Sequence, residues 1–228
     1  MKILAVIPAR GGSKEIKKKN IKRFCGKPLI YWTIQAAKKC SLIKKIIVST
    51  DNDEIARIAA KYGCEVPFLR PKHLAKDHVS AVFPAIHGLN FFPEYDWIML
   101  LQPTSPLRKT SDIYNVIYIA KKYKNKSIVS VSKSLTRPEL MYSIEKKNSI
   151  RPLIQKKIKN KQRQDFKTFY KINGSIYFIK SNILKKTKSF LQKDTVPYVM
   201  PISRSIDIDN KLDWKLAEYF ATQKFPFL

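Results

Sequence analysis

Apolar residues in this chain come first as a short unbroken run and then at helical spacing, and the two patterns alternate. Ile3 to Pro8 reads Ile-Leu-Ala-Val-Ile-Pro, the pattern of a strand buried on both faces. After a turn at Gly26-Lys27-Pro28, Leu29, Ile30, Ile34 and Ala37 fall on one helical face and lead to Lys38 and Lys39, basic residues suited to a helix C-terminus. Ile46 to Val48 predicts a second strand. Thr50 to Asp53 offers N-caps to a helix carrying Ile55, Ile58, Ala59 and Tyr62, with Gly63 as its stop. Residues 64–68 read as a third strand, followed by a helical segment near 79–90, a strand at Trp97 to Leu101, a helix from Ser111 to Tyr123 and a strand at Ile128 to Val131. Strand patterning resumes at Ser175 to Ile179, and a last helix covers residues 210–222.

Strand and helix in this order imply an α/β fold, a mostly parallel sheet covered by helices. The rhythm breaks over residues 133–170, which are polar and lysine-rich with short apolar stretches and read as an excursion from the core sheet. Residues 1–228 form one domain on this reading, because that length holds one sizeable core.

Composition changes the picture little, and charge more. With 44% hydrophobic and 11% aromatic residues the chain is an ordinary globular one. Its net charge of +28 invites a nucleic-acid or anionic-membrane reading, yet only nine of the 45 basic residues are arginine. The lysines spread over runs such as Lys17 to Lys19, Lys121 to Lys126, Lys156 to Lys161 and Lys185 to Lys188, the pattern of solvated faces. With no zinc-finger or RNA-recognition motif, no nucleic-acid partner is expected. The first apolar run is too short for a signal peptide and none reaches the ~18 residues of a membrane span, so the expectation is a cytoplasmic protein with no membrane partner. Cys25, Cys40 and Cys64 lie far apart without metal spacing, as do His73, His78 and His87, so buried reduced thiols are expected and a zinc site is not.

In an open parallel sheet ligands sit beyond the carboxyl ends of the strands, which directs attention to the loops after the first and fourth strands. The first reads Pro8-Ala-Arg-Gly-Gly-Ser-Lys14, then Lys17-Lys-Lys-Asn20. Gly11 and Gly12 let backbone N–H groups converge on an anion, and Arg10, Lys14 and Lys19 can neutralise polyphosphate charge. Neither a Walker loop nor a dinucleotide fingerprint fits these residues; a plain surface turn is the alternative. The second loop, Leu100 to Arg108, is stiffened by two prolines, with Gln102 best placed to face a ligand or, alternatively, Thr104 and Ser105 satisfying a rigid turn. In Ser205-Ile-Asp-Ile-Asp209 a strand period of two puts both carboxylates on one face; two such oxygens suit Mg²⁺, while Asp209 or Asn210 also suits a helix cap.

Together, Pro8 to Lys14 with Lys19-Asn20, Leu101 to Arg108, Asn173-Gly-Ser-Ile-Tyr177 and Ser205 to Asp209 resemble the acylneuraminate cytidylyltransferases, the CMP-sialic acid synthetases, in order along nearly the whole chain. The resemblance implies a Rossmann-like nucleotidyltransferase fold with a small protruding dimerisation element within residues 133–172, and a homodimer. It implies CMP transfer from CTP to the anomeric hydroxyl of a nine-carbon sugar acid, with Mg²⁺ as cofactor and pyrophosphate released. By that resemblance Arg10, Gly11, Gly12, Ser13, Lys14, Lys19, Asn20 and Ser80 are nucleotide contacts, and Gln102, Arg163 and Lys171 approach the sugar acid or the partner subunit. Asp207 and Asp209 become metal ligands, and Arg10, Lys14, Lys19 and Asp207 the catalytic set.

Two positions depart from the family pattern: Glu15 stands where glycine is common, adding negative charge to the phosphate loop, and Ser175 replaces alanine. Phe24-Cys-Gly-Lys-Pro28 looks like relatives acting on pseudaminic acid, whereas Gln102 to Ser105 looks like those acting on sialic or legionaminic acid. Rival readings are transfer to another acceptor such as Kdo, and a non-enzymatic basic nucleic-acid-binding protein.

Overall fold

The computed structural model describes residues 1–124, 126–145, 149–154 and 167–223. The opening apolar run forms β1 (Ile3–Pro8), followed by a small antiparallel pair, β2 (Arg23–Phe24) and β3 (Lys27–Pro28), and by α1 (Leu29–Lys38), β4 (Lys45–Ser49) and α2 (Asp53–Lys61). Then come α3 (Val82–Phe91), β5 (Trp97–Leu101), α4 (Thr110–Lys122), β6 (Ile128–Lys133), the hairpin β7 (Tyr142–Ile144) and β8 (Ile150–Pro152), β9 (Tyr170–Lys180), α5 (Ser181–Thr187), β10 (Val196–Met200) and α6 (Lys211–Thr222).

The central sheet runs β10-β6-β9-β5-β1-β4, and β9 alone is antiparallel to its neighbours. Burial on both faces follows from the period of two. Ile3, Ala5 and Ile7 of β1 pack with Ile34 of α1, Ile55 of α2 and Ile117 of α4, while Leu4 and Val6 pack with Leu89 of α3 and Leu184 of α5. The result is a three-layer α/β/α domain, as expected from the alternation. A third cluster lies at one end, where Ile16, Phe24 and Leu29 meet Ile208, Trp214 and Ala217, so that α6 is fastened to the loop after β1.

One expectation needs correction, and one strand went unread. Residues 64–68 are no strand: they pair with β4 by one isolated bridge, Ile47–Glu65, and Pro67, which lacks an N–H to donate, separates it from the next bridge at Thr50–Leu69. The excursion leaves the sheet after β6 ends at Lys133 and rejoins it where β9 begins at Tyr170, and Ser134 N donates to Phe169 O at 2.8 Å across its base. Edge strand β10 carries Pro197 and interrupted apolar positions, which hid it from pattern reading. Cys40 and Cys64 are buried, the thiol of Cys64 pushed up to about 12 by burial, whereas Cys25 is only half-buried. Among the described residues no helix is long and apolar enough to cross a membrane.

β9 decides the site, because it lies between β5 and β6 and is pinned there by Phe178, fully buried with its ring stacked on Trp97 at 4.6 Å between centroids. Phe178→Ala is expected to cost about 3–5 kcal/mol of stability, read as a lowered urea midpoint with an unchanged slope.

Candidate active site

β1 runs toward β4 through α1, and the chain then returns across it to β5, so strand order reverses between β1 and β5. The loops leaving these two strands flank the crevice such a reversal opens. In the first, Gly11 N donates to Asp51 Oδ1 at 2.9 Å, and a Cβ on Gly11 would lie 2.9 Å from the Asn52 Cβ, so only glycine fits. A Cβ on Gly12 would meet open space; its bareness widens the cleft. Asn20, buried, donates from Nδ2 to Arg10 O at 2.9 Å and closes the loop on itself. Lys19 leaves the loop altogether: its Nζ donates to Ile208 O at 2.7 Å and to Asp209 Oδ1 at 3.1 Å.

The opposite wall combines three segments. Between Val129 and Val131 the pairing of β6 with β9 slips, and the bulge lets Asn173, Gly174 and Ser175 turn out of register over Ser130. Gly174 has φ of +73°, and a Cβ there would sit 2.5 Å from Gln102 Oε1 and 2.7 Å from Asp207 Oδ2. Glycine is thus what allows the amide and the carboxylate to converge. Asn173 donates to Ser205 Oγ at 2.9 Å and fixes the start of the acidic segment.

That segment, 205–209, belongs to no strand, contrary to the expectation. Ile208 N donates to Thr104 O at 2.8 Å, and Ile206 and Ile208 turn into the third apolar cluster, so Asp207 and Asp209 still share the cleft side. Asn210 caps α6, its Oδ1 accepting from Leu212 N and Asp213 N, which leaves Asp209 free of that duty.

The cleft between the walls holds about 350 Å³ and is lined by Arg10, Gly12, Ser13, Lys19, Asn20, Gln102, Asp207 and Asp209 among the residues singled out from sequence. Gly11, Lys14, Ser80 and Lys171 do not line it. Lys14 lies outside it, tied to Asp77 at 2.7 Å; Ser80 Oγ accepts from Val82 N at the start of α3; and exposed Lys171 sits in β9 opposite Ser132 of β6. Glu15 is exposed and keeps its charge away from the cleft lining. Arg163 lies outside the described residues.

The charged groups of the cleft fall into two sets, Arg10 and Lys14 with Asp77, and Lys19 with Asp207 and Asp209. Arg10 and Lys14 both pair with Asp77, whose carboxyl is held below the usual range by the Lys14 hydrogen bond first and Arg10 second. Asp207 goes the other way: burial raises its pKa, with neighbouring Asp209 adding to the effect and Thr104 and Lys19 opposing it. Its Oδ1 is buried with no hydrogen-bond partner. Asp207 lines the polar cleft, a carboxylate oxygen without a hydrogen-bond partner is the kind of donor a hard cation takes, and Asp209 lines the same cleft. Among the described residues no three His, Cys, Asp or Glu side chains gather to hold a metal, so any cation would draw its other ligands from water or bound phosphate.

Sequence reading passed over Asp77, Arg70 and Thr104 as cleft residues. Nothing local marked the first two, since they lie on an irregular stretch that only the fold brings across from the first loop; Arg70 is buried there beside Asp51 at 3.7 Å.

Residues 4–224 match the family model described as cytidylyltransferase. The chain belongs to the cytidylyltransferase family. This cytidylyltransferase is 40% identical to a CMP-N,N'-diacetyllegionaminic acid synthase of Legionella pneumophila, over 96% of this chain and 95% of that protein. It is 33% identical to an N-acylneuraminate cytidylyltransferase of Escherichia coli over 95% of this chain but 51% of that protein, and 31% identical to a pseudaminic acid cytidylyltransferase of Campylobacter jejuni over 96% and 95%. Among solved structures it resembles a CMP:2-keto-3-deoxy-manno-octonic acid synthetase complexed with CTP, with a TM-score of 0.75 at 15% identity over 99% of this chain and 100% of that one. A likeness at that identity speaks to fold alone.

The state of Asp207 yields a stability test for this cytidylyltransferase. An acid whose folded pKa is raised contributes stability only while protonated, and that contribution is lost as pH rises above the ordinary aspartate value. At neutral pH the ionised carboxylate therefore strains the metal-free fold. Asp207→Asn is expected to raise Tm in EDTA at neutral pH, by about 2–4 °C per kcal/mol relieved, with the gain vanishing toward pH 3, while turnover falls at least about a hundredfold. A lowered Tm at neutral pH would contradict the assignment of strain.

Proposed function

We propose that the protein joins CMP, taken from CTP, to the anomeric hydroxyl of a nine-carbon sugar acid of the sialic acid class and releases pyrophosphate. The observation that carries this reading is the cleft at the strand reversal, lined by Arg10 of the first loop and by Asp207, whose carboxylate has an oxygen without a hydrogen-bond partner, with Lys19 reaching across to Asp209. The acceptor we favour is N,N'-diacetyllegionaminate, on the 40% identity to the Legionella pneumophila legionaminic acid synthase; a second such synthase, of Campylobacter jejuni, stands at 33%, level with the N-acylneuraminate enzyme and beside 31% for a pseudaminic one.

In such a transfer the acceptor oxygen forms a bond to the α-phosphorus as the bond to the β-phosphate oxygen breaks, and the hydroxyl proton passes to the acidic edge of the cleft or to water. The protein does little covalent work and acts by positioning and by charge. Gly12 and Ser13 line the phosphate side, where Arg10 offsets negative charge; Lys14 adds to it from outside the cleft and Lys19 from beside Asp209. Phosphate must win Arg10 and Lys14 from Asp77, which occupies them in the free protein. Gln102, set against Gly174, faces the sugar acid. Mg²⁺, held by Asp207 and Asp209, supplies positive charge to the phosphate oxygens when bound.

A homodimer completes the reading. β7 and β8 form a separate hairpin in which Ile144 lies opposite Ile150, and both are largely exposed, as are Leu135, Leu140 and Leu153 nearby. So much bare apolar surface on one projection calls for a cover, and a second copy of the chain provides it.

Two measurements test these readings. Pyrophosphate release with CTP and Mg²⁺ is expected with legionaminate above pseudaminate and N-acetylneuraminate, and not with Kdo, and EDTA is expected to abolish it; turnover with Kdo alone would overturn the acceptor class. Light scattering is expected to give a dimer mass that Ile144→Asp converts to monomer with the fold retained by circular dichroism; a monomeric parent would refute the dimer.

A further inference from the structure

Arg108, at the end of the loop after β5, is 4% exposed, and no carboxylate pairs with it among the described residues. Burial lowers its pKa to about 9, and Asp112 and Asp207 act on it only through space. An unpaired buried guanidinium is costly, and an apolar side chain would fill the space more cheaply. What the guanidinium does is hold three elements at once. Its NH1 donates to Ser175 O of β9 at 2.7 Å, its NH2 to Thr33 Oγ1 of α1 at 2.7 Å, and both reach the Gln102 carbonyl at 3.3 and 3.4 Å. Thr33 Oγ1 and Ser105 N add donors to that same carbonyl, each at 3.3 Å. Converging donors fix the backbone of Gln102, and so the direction in which its amide leaves toward Gly174 and the cleft.

We propose that Arg108 is a positioning residue that sets Gln102, and through it the affinity for the sugar acid, without touching either substrate. The inference rests on the reading of Gln102 as the sugar-acid contact. It separates two properties that a merely structural arginine would move together, because the hydrogen bonds of Arg108 go to Gln102, Ser175 and Thr33 and, among the described residues, none goes to the phosphate loop.

The test is steady-state kinetics of the full chain with Arg108→Lys, Thr33→Val and Gln102→Ala, each substrate varied against saturation by the other. Arg108→Lys keeps the charge and loses the fork; the KM for the sugar acid is expected to rise about tenfold while that for CTP stays within about twofold. Thr33→Val, which leaves the arginine but removes both its bond to Thr33 and the bond from Thr33 to the Gln102 carbonyl, should move the same KM in the same sense by about threefold. A sugar-acid KM unchanged in both variants, or rising equally with that for CTP, overturns the proposal, and if Arg108→Lys fails to fold, Arg108→Gln, read by the same pair of KM values, decides in its place. Gln102→Ala tells the two readings apart: no change in its sugar-acid KM sinks the reading of Gln102 and this inference with it, whereas a rise there without one in the Arg108 and Thr33 variants sinks only the role of Arg108.

Discussion

Ile208 is fully buried with an aspartate on either side, and the geometry of the cleft follows from that placement. Its side chain packs with Ile16 of the first loop, Phe24 and Trp214, its N–H is taken by Thr104, and its carbonyl accepts from Lys19. One residue thereby ties the phosphate loop, the Gln102 loop and the acidic segment. With Ile208 fixed, Asp207 has nowhere to go but the cleft side.

The consequence is electrostatic. Asp207 lies where burial disfavours its charge, and Lys19 and Thr104 offset only part of that cost. A site that holds a carboxylate oxygen without a partner is less stable than it could be and more ready to take a cation. Across the cleft the opposite arrangement holds, for Arg10 and Lys14 are already paired with exposed Asp77. Exposed pairs of this kind are weak, so a polyphosphate can displace the acid at little cost.

Much of this was legible in the residue order. The continuous run Ile3 to Pro8, the Asn52 cap with Gly63 stop and the apolar spacing of Leu29 to Ala37 each named their element, because strand and helix periods are local properties. Reading failed where a segment lacked such a period: residues 64–68 were stopped short of a ladder by Pro67, and Val196 to Met200 pairs only because β6 presents it an edge. For Ser205 to Asp209 the facing was right and the reason wrong, since packing of the two isoleucines, and not strand pairing, aims the carboxylates.

By itself, then, the sequence determined the alternation that makes a parallel sheet, the two loops at its carboxyl edge and the chemical character of Arg10, Lys19, Gln102 and Asp207, all of which depend on near neighbours in the chain. Only the tertiary structure decided that Asp77 reaches Arg10, that Gly174 sits against both Gln102 and Asp207, and that Arg108 lies buried behind them. Those contacts join residues far apart in sequence, and no local period records them; the antiparallel insertion of β9 between β5 and β6, with its bulge at Ser130, creates the wall on which they meet.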